Sequence, residues 1–483
     1  MTNYPQKAVF YEGSNIEFGQ DARTLDLQLP KIIGGMFLGL WFLCLLIALV
    51  IIGRGDIFLG VLIVGIPTFI GMVLKPTFAL AMVVLVLPIG AGFGVEGILS
   101  LDRSIGIALV VSFLLNVMLS RPRFKLSHSF LLIQMASVFW IAMNLLRTPV
   151  LSLELTLVFT QIQLLALSLI TYWIFQNSND KTYIWVLRSY VVGTVGSILI
   201  GVIKGVSMTE TVSGRYEGAG EIRMDSNALC VLIGLGVITS LYLLVRDKSL
   251  LWRLFYLAAI AYLPIMMIKT GSRGIMLAFI ATALSPLLFI RQMGRKPTLY
   301  LVLIFAAVIM AGAVRYGIKT QSVEEESITS RYSDVGGAQN AFEYRLSLVK
   351  GAIEDVLNNP LGITFGGWLV RRVRSIVHNN FFHLLSTCGY PGALLYVWLL
   401  ISALRTIWHI PMSIEKIYAR SVVIFLIIAG MDIFTFFDKS FWIFMIVAIC
   451  AERMNSFYHR PPVSNIDEYQ IVEEESKPVV WSA

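Results

Sequence analysis

Apolar runs long enough to approach the thickness of a bilayer recur along the whole chain, and they leave few folds open. A membrane-crossing helix needs about 20 mostly apolar residues. Fourteen runs come near that: 32–52, 57–74, 78–93, 105–119, 130–146, 155–175, 184–203, 227–245, 254–268, 274–290, 299–314, 379–404, 421–434 and 441–451. In lipid each segment must satisfy its own backbone hydrogen bonds, so runs of this kind become helices. The expected fold class is all-α, a polytopic transmembrane helix bundle of about fourteen spans. Composition agrees, with 57% hydrophobic and 14% charged residues against about 45–50% and about 25% in soluble proteins. The net charge of +8 reads as the Lys and Arg bias of cytoplasmic loops, not as a nucleic-acid footprint. The four cysteines (Cys44, Cys230, Cys388, Cys450) all fall in apolar runs with no CxxC pair, as small core residues do.

Three basic clusters set the orientation: Arg121, Arg123 and Lys125; Arg246, Lys248 and Arg253; Arg291, Arg295 and Lys296. Counting spans puts all three on one side, which makes that side cytoplasmic and both termini with it. The first apolar run is longer than the h-region of a cleavable signal, about 7–15 residues, so it is expected to stay as a span. The chain then divides into a cytoplasmic leader (1–31), an N-terminal transmembrane bundle (32–204), a second transmembrane region (205–454) holding a long outer loop (315–377), and a polar cytoplasmic tail (455–483).

Three segments fall on the non-cytoplasmic side: 205–226, the tight turn "KTGSRG" at 269–274, and the long loop. Within the loop, Phe342, Leu346, Val349, Ile353 and Leu357 recur at three- and four-residue steps, as in an amphipathic helix. Asn358-Asn359-Pro360 would end it. Such a helix lies on the outer leaflet or docks on the bundle. The glycines after it, Gly362, Gly366 and Gly367, allow close backbone approach.

Seven arginines gather on that outer side: Arg215, Arg223, Arg273, Arg345, Arg371, Arg372 and Arg374. Guanidinium suits bidentate phosphate recognition, so the group points to an anionic ligand at the lipid surface. The plainer reading pairs them with Glu217, Glu221, Asp225 and the acidic run 324–326, or with lipid phosphates. His378 and His383 open one helix, but a five-residue step sets them about 140° apart on the wheel, which suits no shared metal. His378, nearer the interface and just after the arginine run, is the candidate general base. No Asp-x-Asp pair occurs, so a bound diphosphate would be neutralised by arginine and not by carboxylate-held Mg²⁺. No cofactor and no metal are expected.

At four places the residues resemble one family. "GRYEG…MDSNAL" (214–229), "KTGSRGIMLAFIATAL" (269–284), "YRLSLVKGAIEDVLNNPLGITFGG" (344–367) and "HNNFFHLLSTCGYPGALLYV" (378–397) are similar, in order and spacing, to segments of the O-antigen ligase and Wzy-type polysaccharide polymerase superfamily. The resemblance implies a GT-C-like, metal-independent, inverting glycosyltransferase in the bacterial cytoplasmic (inner) membrane, with its site on the periplasmic face. The donor would be a saccharide on undecaprenyl diphosphate, and the acceptor another glycan or the lipid A core. His378 would accept the acceptor's proton. Arg215 and Arg273, then Arg345 and Arg223, would hold the diphosphate, and Asn379 would orient His378 or cap its helix. The extra spans favour a polymerase of surface or exopolysaccharide over a ligase. Polysaccharide-export or chain-length proteins are candidate partners beside the bilayer, and no nucleic acid is expected. A transporter or flippase of lipid-linked saccharide also fits many spans and phosphate-binding arginines. Few ionisable groups lie mid-membrane, however, where a transport path needs them, Asp432 being the exception. A non-catalytic assembly scaffold is the third reading.

Overall fold

The computed structural model describes residues 57–90, 101–120, 128–203, 225–284, 335–372 and 377–456, with a few positions between 39 and 51. Among these residues the chain is helical throughout, with no strand. In chain order the helices are α1 (Ile57–Leu74), α2 (Pro76–Gly90), α3 (Leu101–Ser120), α4 (Ser129–Met143), α5 (Leu151–Asn177), α6 (Asp180–Ile203), α7 (Ser226–Arg246), α8 (Leu250–Lys269), α9 (Arg273–Leu284), α10 (Val335–Asn358), α11 (Phe365–Arg372), α12 (Asn380–His409), α13 (Ile414–Ala429) and α14 (Lys439–Ser456). A 3₁₀ turn, Asn144–Leu146, joins α4 to the corner before α5.

Six of these helices are long and apolar enough to cross a membrane: those at 129–146, 151–177, 180–201, 226–246, 250–269 and 380–409. The protein is therefore a multi-pass membrane helix bundle. The expected spans at 299–314 and, for the most part, 32–52 lie outside the described residues, as do the basic clusters at 121–125 and 291–296. The run at 421–434 is corrected. Helix α13 starts earlier, at Ile414, and stops at Ala429, and the chain then turns through 430–438 before α14. Hydropathy misses that stop because the turn itself is apolar and aromatic, "GMDIFTFFD".

One hydrophobic core runs from Met72 to Ala451 and draws on both halves of the chain. Helix α4 packs on α12, α5 on α14, and α2 on α6. Cys230, Cys388 and Cys450 are buried within the bundle and form no disulfide among the described residues, as expected of small apolar residues.

Helix α12 breaks where the sequence reads "CGYPG". Gly389 adopts φ 68°, ψ −167°, a region open almost only to glycine, and Pro391 has no N–H to give. The break frees carbonyls inside the bundle, and protein groups fill them. Ile363 N–H donates to Ser386 O (2.9 Å), Thr364 N–H to Thr387 O (2.9 Å) and Trp140 Nε1 to Cys388 O (2.8 Å). In return Tyr390 N–H donates to Pro360 O (3.0 Å). The "PLGITFGG" turn after α10 is thus wedged into the broken helix, backbone against backbone. A Cβ on Gly362 or on Gly389 would collide with the other strand of this junction. Non-helical backbone in a membrane bundle persists only when satisfied in this way.

The amphipathic helix ended by Asn358 is present as α10, but its buried face differs from the expected one. Leu348, Ala352 and Val356 pack inward, while Leu346, Ile353 and Leu357 stay exposed. Small Ala352 lets the helices approach, and Asp355, which bonds Ser386 Oγ (3.2 Å), is drawn in with that face.

Candidate functional site

Five segments converge at one end of the bundle: the start of α7, the α8–α9 turn, α10, the start of α12, and the turn after α13. Each is shaped by local chemistry. Asp225 caps α7 by accepting from Asn227 N–H (2.9 Å). Gly271, at φ 65°, closes the turn that delivers Ser272 and Arg273 to the start of α9. Asn379 caps α12, accepting from Phe382 N–H (3.1 Å) and donating to Met431 O (3.3 Å). Of the two roles expected for Asn379, the cap is the one seen.

Arg345 on α10 forms an ion pair with Asp432 in the turn after α13. The Asp432 carboxylate also lies against Gly274, so closely that a Cβ there would collide with it. The glycine of "SRG" is therefore needed for the approach of a carboxylate, and Arg273, the residue before it, is held half-buried at the same place. Asp432 is thus not the mid-membrane charge that the apolar run at 421–434 suggested. It sits at the bundle end, beyond the last turn of α13.

His378 is half-buried at this end. Burial, and then the positive charge of Arg345, hold its imidazole below the ordinary value, while Asp225 and Asp432 partly offset this. The charges of Arg345, Asp225 and Asp432 are thus near enough to act on it. A neutral imidazole near pH 7 can accept a proton. Asp438, half-buried in the same turn as Asp432, is pushed up to about 7 by burial and by the charge of Asp225.

The sequence reading missed Asn380 and Asp438 as builders of this place and set Asp432 in mid-membrane. Asn380 is fully buried and ties α12 to the turn. Its Oδ1 accepts from Thr435 N–H (2.7 Å) and Phe436 N–H (3.2 Å), its Nδ2 donates to Thr435 Oγ1 and Tyr396 Oη (both 3.1 Å), and its own N–H reaches Gly430 O (2.8 Å). Asp432 and Asp438 bracket an aromatic stretch between two apolar runs. Two carboxylates in such surroundings were the available signal.

Other expected residues are placed elsewhere. His383 is buried among Phe365, Trp368 and Phe434, with ring centroids 5.5, 5.7 and 4.3 Å away, so it is a packing residue. Arg371 meets Asp355 at 3.5 Å and is largely exposed. Of the acidic residues first considered for the arginines, Glu217, Glu221 and the run 324–326 lie outside the described residues. Arg215, Arg223 and Arg374 lie outside the described residues, and Arg372 is described only as backbone at the end of α11.

A histidine, arginines and carboxylates thus stand at one end of a helical membrane bundle. The family described as O-antigen ligase matches residues 257–397, a segment that holds Arg273, Arg345, His378 and Asn379. Over that segment the chain is similar to the O-antigen ligase family, whose members are membrane glycosyltransferase-like enzymes. Asp225, Asp432 and Asp438 fall outside the matched segment. Among curated proteins, no relative matches the chain.

Proposed function

We propose that this protein is a metal-independent inverting glycosyltransferase that extends or transfers undecaprenyl-diphosphate-linked glycan on the periplasmic face of the inner membrane, with polymerisation favoured over ligation. The observation that carries the reading is the ion pair of Arg345 with Asp432, set against Gly274 beside Arg273 and close enough to His378 for its charge to act there.

In this mechanism His378 takes the proton of the acceptor hydroxyl. That oxygen attacks the anomeric carbon from the face opposite the diphosphate. The bond from carbon to the diphosphate oxygen breaks, configuration inverts, and undecaprenyl diphosphate leaves with the electron pair. Arg273 and Arg345, with Arg215 and Arg223 from the preceding segment, stabilise the charge that grows on the leaving group. Fixed cations aimed at developing charge are commonly the largest catalytic contribution. Asp432 keeps Arg345 in place until the diphosphate arrives.

The test is transfer by purified protein in detergent, supplied with lipid-linked donor and glycan acceptor. With no compartments present, a flippase makes no product. His378→Ala is expected to fold and to lose transfer by about 10²–10⁴-fold, the usual contribution of a general base. Full activity in that variant removes the proposed role. In cells, deletion separates the two outcomes: one repeat left on the acceptor indicates a polymerase, and bare core with chains held on carrier lipid indicates a ligase.

A further inference from the structure

We propose that Arg147 and Glu154, in the corner between α4 and α5, are positioning residues that set Arg345 in the site by clamping the turn after α10. The inference rests on the glycosyltransferase reading above. It assigns a role to a part of the N-terminal bundle that lies outside the matched segment 257–397.

The corner grips the turn on both sides of Thr364. Arg147 Nη2 donates to Leu361 O (2.9 Å) and to Asn144 Oδ1 (2.6 Å), and Nη1 donates to Gly362 O (3.4 Å). On the other side, Glu154 is fully buried, and its Oε2 accepts from Gly366 N–H (3.0 Å) and from Thr148 Oγ1 (3.3 Å). A Cβ on Gly366 would collide with Thr148 Oγ1. Between these grips, Thr364 sits at φ 66°. A β-branched residue in that region is strained and persists only where its surroundings over-determine it. The surroundings here are the corner on one face and the broken helix α12 on the other.

What the clamp controls follows from the length of α10. The turn starts directly after Asn358, and Arg345 lies 13 residues back along the same helix, a lever of about 20 Å at ~1.5 Å per residue. A tilt of about 5° at the clamp would move Arg345 by roughly 2 Å on that lever. The Arg345 side chain is 42% exposed, so its place depends on its ion pair with Asp432 and on the helix that carries it. That helix packs through Leu348, Ala352 and Val356 and runs into the clamp at its end. Misplacement of a binding group by about 1 Å can cost about 10²-fold in rate, so a clamp of this kind has functional weight.

Steady-state kinetics of Arg147→Ala, varying donor and acceptor separately, tests the proposal. The kcat/KM for donor is expected to fall about tenfold to 10²-fold, with the acceptor KM unchanged. Arg147→Lys, which keeps donors for the two carbonyls, recovers part of the loss. Because the effect passes through Arg345, the double variant R147A/R345A binds donor no worse than R345A alone, a non-additivity expected of coupled residues. A second readout needs no activity: the amides of Ile363, Thr364 and Gly366 exchange hydrogen faster in Arg147→Ala and in Glu154→Ala, while Glu154→Gln, whose amide oxygen still accepts from Gly366, keeps its protection. Unchanged kcat/KM for donor, full additivity with R345A, or unaltered exchange overturns the proposal. If His378→Ala retains transfer, the glycosyltransferase reading fails instead, whatever Arg147→Ala does.

Discussion

The two ends of the bundle both gather arginines and carboxylates, yet they are wired differently. At the end away from the candidate site, Arg188 donates twice to Asp247 Oδ2, from Nε at 3.0 Å and Nη2 at 2.6 Å, and Tyr256 Oη joins at 3.0 Å. Ser249 N–H donates to the remaining oxygen at 3.1 Å, and Trp252 covers the guanidinium at 4.9 Å from its ring centroid. Burial would raise the Asp247 carboxyl, but the hydrogen bonds from Ser249, Arg188 and Tyr256 outweigh it and keep the group below the usual range. Every acceptor there is used. At the site end, Arg345 is nearly half exposed, Asp432 Oδ2 has no hydrogen-bond partner among the described residues, and His378 stays half-buried and neutral. A closed network holds helices together. An open one retains capacity for a ligand, at some cost in stability.

This contrast can be broken experimentally. The largest effect expected is in the open cluster: His378→Ala lowers transfer by about 10²–10⁴-fold with little change in the unfolding temperature, measured on the same purified sample. A parallel fall in stability would place His378 with the structural residues. Next comes Gly274→Ala. Its methyl group displaces the Asp432 carboxylate and with it Arg345, and a loss of roughly tenfold to 10²-fold in kcat/KM is expected for a misplacement near 1 Å. Wild-type kinetics would mean that the contact between Asp432 and Gly274 does not set the site.

For the closed network the expectation reverses. Arg188→Ala leaves Asp247 short of a charged donor and lowers stability by about 1.5–3 kcal/mol, read as a lower unfolding temperature in detergent, while KM values per folded molecule stay unchanged. The smallest effect is electrostatic. His378 works as a base when neutral, so kcat/KM falls as pH drops through its pKa, which lies below the ordinary imidazole value. Arg345 lowers that pKa and Asp432 raises it. Arg345→Gln therefore shifts the acid limb to higher pH, and Asp432→Asn shifts it to lower pH. Shifts in the same direction would show that these charges do not act on His378.

Much of the bundle was legible because lipid imposes one rule along the whole sequence. An apolar run of sufficient length must be a helix, so α1 through α8 match their expected runs to within a few residues. The cap Asn379 and the helix end at Asn358 were also local and act where they stand, while the break at "CGYPG" inside the expected span 379–404 was not foreseen. The arginines and His378 were visible because their chemistry is unusual at a bundle end.

What the sequence could not give is pairing between distant segments. That Asp432 meets Arg345 and Gly274, that Asn380 binds the turn at 430–436, and that Arg147 reaches Leu361 and Gly362 are facts of packing, set by which helix faces touch. Even the buried face of α10 was decided this way, since Leu346 and Ile353 are as apolar as Leu348 and yet remain outside. Hydropathy ranks residues by their affinity for an apolar medium, and in a membrane lipid and protein core are both apolar. The composition thus determined that these helices form, and only tertiary contact decided which of their faces meet and where the charges end up.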